Sequence, residues 1–468
     1  MVFSSITFLF YFLPPFLLLY FLFPDKAKNY ILLIGSLIFY FWGAQMHTLI
    51  MLGCILLNYV SALLIYRFRT RKIVKNTVFI ATLILVFSLL IYFKYIDFLI
   101  NSVNGILGTG FDTLGVLLPV GISFYIFQTV SYTVDVYRGN ILPRKNPFTF
   151  ATYVTMFPQL VAGPIVRYKD IDSYMDKRSV SFDKVSRGIS RFIIGLAKKV
   201  ILANTLAELC ANIRADDEKT VLLYWIWAVA FTLNIYFDFS GYSDMAIGLG
   251  GIMGFEFMEN FKYPFIAGSV TEFFRRWHIS LGVWFRDYVY IPLGGNRKGA
   301  ARQVFNLLVV WLLTGLWHGA AWNFVLWGLY YAILLIIEKL FLLRTLQKAP
   351  AVVGHVYTVM TAVLGFVIFD AASVKEIGVR FAGMLGFGTD GFSSSATQYT
   401  LTSYLLLMVI AAIASTPVLK SIKKRVEKCR KIGVVISFLE PILVLGLFIL
   451  SVGFLVDASF NPFIYFRF

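Results

Sequence analysis

The chain has 468 residues, of which 59% are hydrophobic and 14% are charged. Ordinary soluble domains carry about a quarter charged residues, so this composition argues against a water-soluble fold. The formal net charge is +17, but the basic residues lie in loops between apolar segments, which argues against nucleic-acid binding. The three cysteines, Cys54, Cys210 and Cys429, are far apart and indicate neither a disulfide framework nor a thiolate metal site.

Apolar runs long enough to cross a hydrocarbon core of roughly 30 Å recur along the chain. They predict an all-α integral membrane protein with about 11–12 transmembrane helices. We expect one polytopic domain over residues 1–468, with N-terminal helices (1–146), a catalytic core region (147–340) and C-terminal helices (341–468). The predicted spans are 6–23, 30–44, 48–65, 77–98, 114–136, 191–210, 221–239, 303–319, 321–340, 352–371, 401–418 and 433–456.

The charge of the loops predicts the orientation, because Lys and Arg accumulate in short cytoplasmic loops. With the N-terminus outside, the basic segments 67–75, 297–302 and 420–431 fall on the cytoplasmic side. The predicted outer loops include 101–113, which has no Lys or Arg, and the acidic stretch 216–218. The sequence therefore predicts a multi-pass protein of the cell (inner, cytoplasmic) membrane with both termini outside.

Two regions do not fit simple spanning helices. They are residues 147–166, which end in FPQLVAGPIV, and residues 239–295, where aromatic, glycine and charged residues interleave. Non-helical backbone at membrane depth must be shielded by protein or line a wet cavity, because unpaired amides are costly in lipid. We expect the functional site in these irregular or re-entrant segments. No internal repeat is visible, which disfavours an inverted-repeat transporter.

His318 lies in TGLWHGAAWN, where one apolar span ends and the next begins. Ionisable residues at such depth are costly and usually functional. A neutral imidazole can take a proton from a hydroxyl nucleophile, so general base is the natural role. The alternative is a histidine hydrogen-bonded between helices, with Gly315 and Gly319 allowing close packing. Spacing alone leaves both open.

His278 lies in TEFFRRWHISLGVWFRDYVYIPLGG, a basic and aromatic segment that either contributes to a site or anchors the chain at the membrane surface. The loop IPLGGNRKGAAR follows it. Backbone amides freed by Gly294 and Gly295, beside Arg297 and Lys298, could hold a phosphorylated donor. The loop does not match the pattern GxxxxGK[ST], and cytoplasmic anchoring explains its charge equally.

The remaining polar candidates have simpler interpretations. Asp238 and Asp244 lie at the inner end of a span, and we expect them to form ion pairs with Arg275 or Arg276; a bound cation is the alternative. We assign these carboxylates no catalytic role and predict no metal site. The histidines at 47 and 355 are interpreted as interfacial polar residues.

Five stretches together resemble the bacterial membrane-bound O-acyltransferase family: FPQLVAGPIVRY, YFDFSGYSDMAIGLGGIMGF, FFRRWHISLGVWFRDYVYIPLGGNRKG, LLTGLWHGAAWNFVLWGLYY and NPFIYFRF. The IPLGGNR loop and the NPFIYFRF ending resemble the alginate O-acetylation branch. The resemblance implies a ring of tilted helices around a central tunnel that contains two histidines, here His278 and His318. It also implies that His318, in the WHG motif, is the essential catalytic residue.

The expected reaction is O-acyl transfer, with acetyl moved from a cytoplasmic thioester across the membrane for O-acetylation of an exported polysaccharide. The donor would be acetyl-CoA or an acyl-carrier thioester, received near Arg275, Arg276, Arg297 and Lys298, with no tightly bound cofactor. The resemblance implies an extracytoplasmic partner acetyltransferase. The sequence contains no GxSxG elbow of its own.

Three other functions remain open on the sequence. The chain could transfer D-alanine or another acyl group from a carrier protein to teichoic acid. It could be a transporter or channel whose histidines relay protons, since polar residues in membranes often mark ion paths. It could also be a structural scaffold for a polysaccharide synthase, in which case both histidines would be replaceable.

Overall fold

The computed structural model describes residues 1–160, 163–427 and 430–457, and the regular secondary structure in those ranges is helical throughout. Some of the residues singled out above lie outside the described ranges. They are Val161 and Ala162 of FPQLVAGPIV, Cys429 and the NPFIYFRF ending.

Nine helices of the described ranges are long and apolar enough to cross a membrane, and each overlaps a predicted span. They confirm an all-α integral membrane protein. The other three predicted spans are wholly or partly helical but are not both long and apolar enough to meet this criterion; they are 6–23, 114–136 and 191–210. The first contains two prolines, the second begins with non-helical residues, and the third carries charged side chains. The predicted ring and tunnel stay predictions.

The chain forms two compact units, and the division into segments at 146 and 340 stays a prediction. The first unit comprises Met1–Phe192 and Met245–Met258. Its helices are α1 (Thr7–Leu22), α2 (Asp25–Ala44), α3 (His47–Arg67), α4 (Lys72–Leu107), α5 (Ile122–Arg138), α6 (Pro147–Thr155), α7 (Phe157–Leu160), α8 (Tyr168–Asp176) and most of α9 (Phe182–Ala197).

The first unit has α5 at its centre, where every residue from Ile122 to Val136 is buried. A helix buried on all sides must satisfy its polar groups within the protein, and Thr133 Oγ1 donates to Asn58 Oδ1 of α3 at 2.8 Å. The region 147–166 is irregular, as predicted, with two short helices. The Asn146 side chain caps the first of them, and Phe157 begins the second inside an aromatic core.

The second unit comprises Ile193–Asp244 and Glu259–Phe468. Its helices are α10 (Asn204–Ala215), most of α11 (Val221–Ile252), α12 (Val270–Arg276), α13 (Ile279–Phe285), α14 (Ala300–His318), α15 (Trp322–Lys348), α16 (Ala351–Asp370), α17 (Val374–Met384), α18 (Ser395–Ala414), α19 (Val418–Glu427) and α20 (Arg430–Asp457). The prediction that residues 239–295 are irregular is correct from Ile252 onward, because α11 continues past its predicted end at 239.

The carboxylates of α11 are paired, but not with the predicted partners. Asp238 Oδ1 lies 2.6 Å from Lys199 Nζ, and Asp244 Oδ2 lies 2.7 Å from Lys198 Nζ. Arg276 instead pairs with Glu272, one turn earlier on its own helix. The expected pairing with Arg275 or Arg276 was wrong because two lysines in the segment just before α10 lie closer to α11.

Small residues set the contact between α14 and α15. A Cβ atom at Gly315 would collide with the carbonyl of Phe324, and one at Gly328 would collide with the carbonyl of Trp311. The two helices therefore pack backbone to backbone, as small residues permit in membrane proteins. This contact fixes the end of α14, where His318 lies.

We predict that Gly328→Ala destabilises the protein by about 1–3 kcal/mol, because the added methyl group overpacks a close helix contact. The midpoint of thermal unfolding in detergent should fall. Gly453→Ala on α20 is the matched control, since a Cβ there meets no described atom within 4 Å. An equal change in both variants would contradict this account of the contact.

Candidate functional site

A cavity of about 840 Å³ in the second unit contains both candidate histidines. This volume lies within the range of about 300–1,000 Å³ that is typical of small-molecule sites. The ring centroids of His278 and His318 are 6.5 Å apart, so one substrate group could contact both. The cavity wall also includes six aromatic residues, Phe274, Trp277, Phe285, Tyr290, Trp311 and Trp327, and four cationic residues, Arg286, Arg297, Lys298 and Lys339.

His318 is held by aromatic rings at the end of α14. The ring centroids of Trp317 and Trp327 each lie 5.0 Å from that of His318, and Phe369 of α16 lies at 5.3 Å. His318 is 5% exposed. This packing restricts the orientation of the imidazole and limits its access to water.

His278 is held by a hydrogen bond that determines which ring nitrogen carries the proton. Its Nδ1 lies 3.1 Å from Asn260 Oδ1, and the same oxygen is 3.2 Å from the backbone nitrogen of Ser280. A backbone N–H can only donate, so the shared Asn260 atom must be the acceptor oxygen. Nδ1 of His278 therefore donates, and Nε2 of the neutral ring carries the lone pair.

The surroundings of His278 favour its neutral form. The residue is 3% exposed and lies between α12 and α13, outside the nine spanning helices. Burial, and to a lesser extent the neighbouring His318, hold the pKa of His278 well below its ordinary range. The ring is therefore uncharged near pH 7.

Hydrogen bonds hold the N-terminus of α12, the helix that precedes His278 in the chain. The carboxylate of Glu338, which is 1% exposed, accepts hydrogen bonds from the backbone nitrogens of Val270 at 2.6 Å and Thr271 at 2.8 Å. The Ser269 hydroxyl accepts a further bond from the backbone of Glu272. A carboxylate at a helix N-terminus satisfies free N–H groups and interacts favourably with the helix dipole.

The glycine loop after α13 differs from its prediction. Gly294 and Gly295 have positive φ values of 110° and 57°, but their backbone nitrogens donate to the carbonyls of Ile291 and Tyr290. The prediction of freed amides was therefore wrong at both positions. Charge recognition in this loop depends on side chains, and those of Arg297 and Lys298 are exposed and line the cavity.

The structure brings together four of the six predicted site residues. His278, His318, Arg297 and Lys298 line the cavity. Arg275 is exposed and Arg276 pairs with Glu272, and neither is among the described residues that form the cavity wall.

The sequence interpretation missed Lys339 and the position of Asn260. The adjacent charged residues Glu338 and Lys339, directly after the uncharged helical run Trp322–Ile337, were a usable signal for Lys339. Arg286 lies within the segment predicted to receive the donor, between Arg276 and Arg297, and also lines the cavity. In the described part of the chain, no group of three or more His, Cys, Asp or Glu side chains is placed to hold a metal ion.

The chain is similar to several known proteins. Residues 142–375, which include the whole cavity wall, match the membrane-bound O-acyltransferase (MBOAT) family. The probable alginate O-acetylase of Pseudomonas putida is 40% identical over the full length of both chains. The peptidoglycan O-acetyltransferase of Helicobacter pylori is 34% identical over 82% of this chain and 80% of its own. The teichoic acid D-alanyltransferase of Bacillus subtilis is 31% identical over 47% of this chain and 59% of its own.

We predict that His278 stays neutral, with its proton on Nδ1, from pH 8 down to pH 6, because its lowered pKa requires a more acidic solution for protonation. ¹⁵N NMR of histidine-labelled protein in lipid reports both tautomer and charge. Asn260→Ala should produce a mixture of tautomers, whereas Ser280→Ala, which keeps the Asn260 acceptor, should not. A doubly protonated ring at pH 6.5 in the unmodified protein would refute the assignment.

Proposed function

The chain belongs to the membrane-bound O-acyltransferase family, and on that basis we propose that it moves acetyl from a cytoplasmic thioester across the membrane to O-acetylate an exported polysaccharide. The protein is a multi-pass membrane O-acyltransferase. Two relatives, named for alginate and peptidoglycan O-acetylation, support acetyl as the group and a polysaccharide as the acceptor. The similarity to the alginate O-acetylase covers the full chain and favours acetyl transfer over D-alanyl transfer. The D-alanyltransferase matches less than half of this chain.

The observation that carries the proposal is one cavity lined by two buried histidines and four cationic side chains. Acetyl-CoA bears phosphates, and an acyl-carrier thioester bears a phosphopantetheine arm, so either donor would present anions to Arg286, Arg297, Lys298 and Lys339. The aromatic wall would exclude water from the thioester and limit its hydrolysis. Binding beside the histidines would place the carbonyl within reach of an acceptor hydroxyl.

In this mechanism His318 acts as general base. Its imidazole takes the proton of an acceptor hydroxyl while the oxygen attacks the thioester carbonyl, forming a tetrahedral intermediate. When that intermediate collapses, the carbon–sulfur bond breaks and the imidazolium returns the proton to the leaving thiolate. The ester and free thiol are the products, and His318 is again neutral.

His278 has a different part in the proposal. Its Nδ1 proton is committed to Asn260, so Nε2 can accept a hydrogen bond but has no proton to donate in the neutral ring. This arrangement favours positioning of the hydroxyl or of the His318 ring over protonation of the leaving group. A separate extracytoplasmic acetyltransferase as the immediate acceptor remains compatible with this chemistry.

We predict that His318→Ala lowers acetyl transfer by about 10²–10⁴-fold, the usual contribution of a general base. The assay follows radiolabelled acetyl-CoA with purified protein in nanodiscs and measures loss of label from the thioester and its appearance in polysaccharide. His47→Ala, a change outside the cavity wall, is the matched control. Retention of full activity by a normally folded His318→Ala protein would remove the general-base assignment.

We predict that the double substitution Arg297→Ala and Lys298→Ala raises the KM for acetyl-CoA roughly five- to tenfold and leaves kcat near the original value. Each exposed ion pair contributes about 0.2–1 kcal/mol, and both would be lost before the chemical step. Arg344→Ala, an exposed arginine at the end of α15, is the control and should leave KM unchanged. A fall in kcat with constant KM would contradict a binding role.

A further inference from the structure

A second concave surface in the same unit lies along α10. It consists of two adjoining pockets of about 450 and 260 Å³ that share Ile213, and we name it the α10 groove. The larger pocket is lined by polar and aromatic side chains, including Asn212, Asp216, Tyr399, Thr400, Ser403 and Tyr404. The smaller pocket is lined by Arg214, Lys219, Tyr224, Trp227, Glu376 and Arg380.

The α10 groove is on the His318 side of the unit. The helix α14 has 19 residues and therefore spans about 28 Å, from the loop of Arg297 and Lys298 to His318. Phe369 of α16 contacts His318, and the next residue, Asp370, pairs with Arg380 of the groove. The groove and the cationic loop thus lie toward opposite ends of α14, and the charge of the loops predicts that the groove end is outside.

The larger pocket offers the two kinds of contact that a sugar ring needs. Tyr399 is 75% exposed and, with Tyr404, presents aromatic faces on which the apolar face of a sugar can stack. Within the described ranges, the side chains of Asn212, Thr400 and Ser403 make no hydrogen bond to protein. They can therefore exchange hydrogen bonds with sugar hydroxyls, which both donate and accept.

The smaller pocket is lined by a buried tryptophan held between arginines. Trp227 is 4% exposed, and its indole nitrogen is buried away from solvent and has no hydrogen-bond acceptor among the described residues. Arg380 lies over the Trp227 ring at 4.2 Å and fixes its orientation.

Charge does not select the ligand here, because the cations of the groove already have partners. Arg214 pairs with Asp370, and Arg380 pairs with both Asp370 and Glu376. Lys219 donates to backbone carbonyls of Ile213 and Arg214. Recognition would therefore depend on hydroxyl contacts and ring stacking, and salt should affect it little.

We infer that the α10 groove binds sugar units of the acceptor polysaccharide and brings the chain to the His318 end of the enzyme. This inference rests on the proposed function for the identity of its ligand, although binding itself requires no acyl donor. A sugar chain held in the groove would lie at the end of α14 that carries His318, because Asp370, which pairs with two arginines of the groove, directly follows Phe369, which contacts His318.

The test is donor-free binding of oligosaccharides to the full chain in nanodiscs, measured by titration calorimetry. The probes are an alginate oligosaccharide and a peptidoglycan glycan-strand oligosaccharide, after the polymers named for two relatives. We expect at least one to bind, and Tyr399→Ala to weaken it about tenfold because the stacking surface is lost. Phe387→Ala is the control, since Phe387 is a 70% exposed aromatic residue outside the groove wall.

Three results would overturn the inference: neither oligosaccharide binds, Tyr399→Ala and Phe387→Ala behave alike, or affinity collapses between 50 and 500 mM salt. If a protein of the cell envelope bound at Tyr399 and neither oligosaccharide did, the groove would be a protein-binding site and the inference would also be overturned. The His318→Ala variant separates the groove inference from the general-base proposal. Normal sugar binding by that variant supports the groove whether or not His318 is the base.

Discussion

The carboxylate of Glu338 accepts hydrogen bonds at the N-terminus of α12, and the position of the candidate cavity depends on this contact. Without it, the first N–H groups of a seven-residue helix would be buried and unpaired, at a cost of about 1–3 kcal/mol each. With it, α12 is fixed to α15, which sets the position of the C-terminus of α12. The next two residues, Trp277 and His278, therefore line the cavity. The neighbouring Lys339 then enters the same cavity from α15. The hydrogen bonds of one side chain thus help to position groups from two segments.

The cavity and the α10 groove place side chains of two different chemical kinds toward opposite ends of α14. Toward one end are side chains suited to a phosphorylated thioester, and toward the other are side chains suited to hydroxyl groups. A reaction between a charged cytoplasmic donor and a polymer outside the cell needs such a division, because neither reactant crosses lipid unaided. In the proposed mechanism, the buried His318 at the far end of α14 is where donor and acceptor would react.

The sequence alone predicted the spanning helices, since hydropathy over twenty residues is a strong local signal. It also singled out His318 as a candidate, because an ionisable residue at the junction of two apolar spans is conspicuous, and the structure places it in the cavity wall. Its position alone left a structural role open, and the catalytic role stays a prediction. It did not predict the partners of Asp238 or the contact between Asn260 and His278. These contacts join residues 39 and 18 positions apart, and no local pattern specifies them. The amides of the glycine loop were assigned wrongly for a related reason, because the sequence pattern does not show that the turn uses them for its own hydrogen bonds.

The backbone of His278 lies in the left-handed region, with φ 45° and ψ 52°. A residue with a Cβ atom adopts this conformation at a cost of about 1–2 kcal/mol, and glycine does so almost freely. Backbone conformation alone would therefore favour glycine at position 278. The hydrogen bond of the imidazole to Asn260 and its ring contacts with Phe239 and Trp317 offset this strain, and strained residues of this kind are common at functional sites. A glycine at this position would relieve the backbone strain, but it would lose the hydrogen bond to Asn260 and leave a void beside Phe239 and Trp317, so the stability of such a variant would report the balance between backbone strain and ring packing.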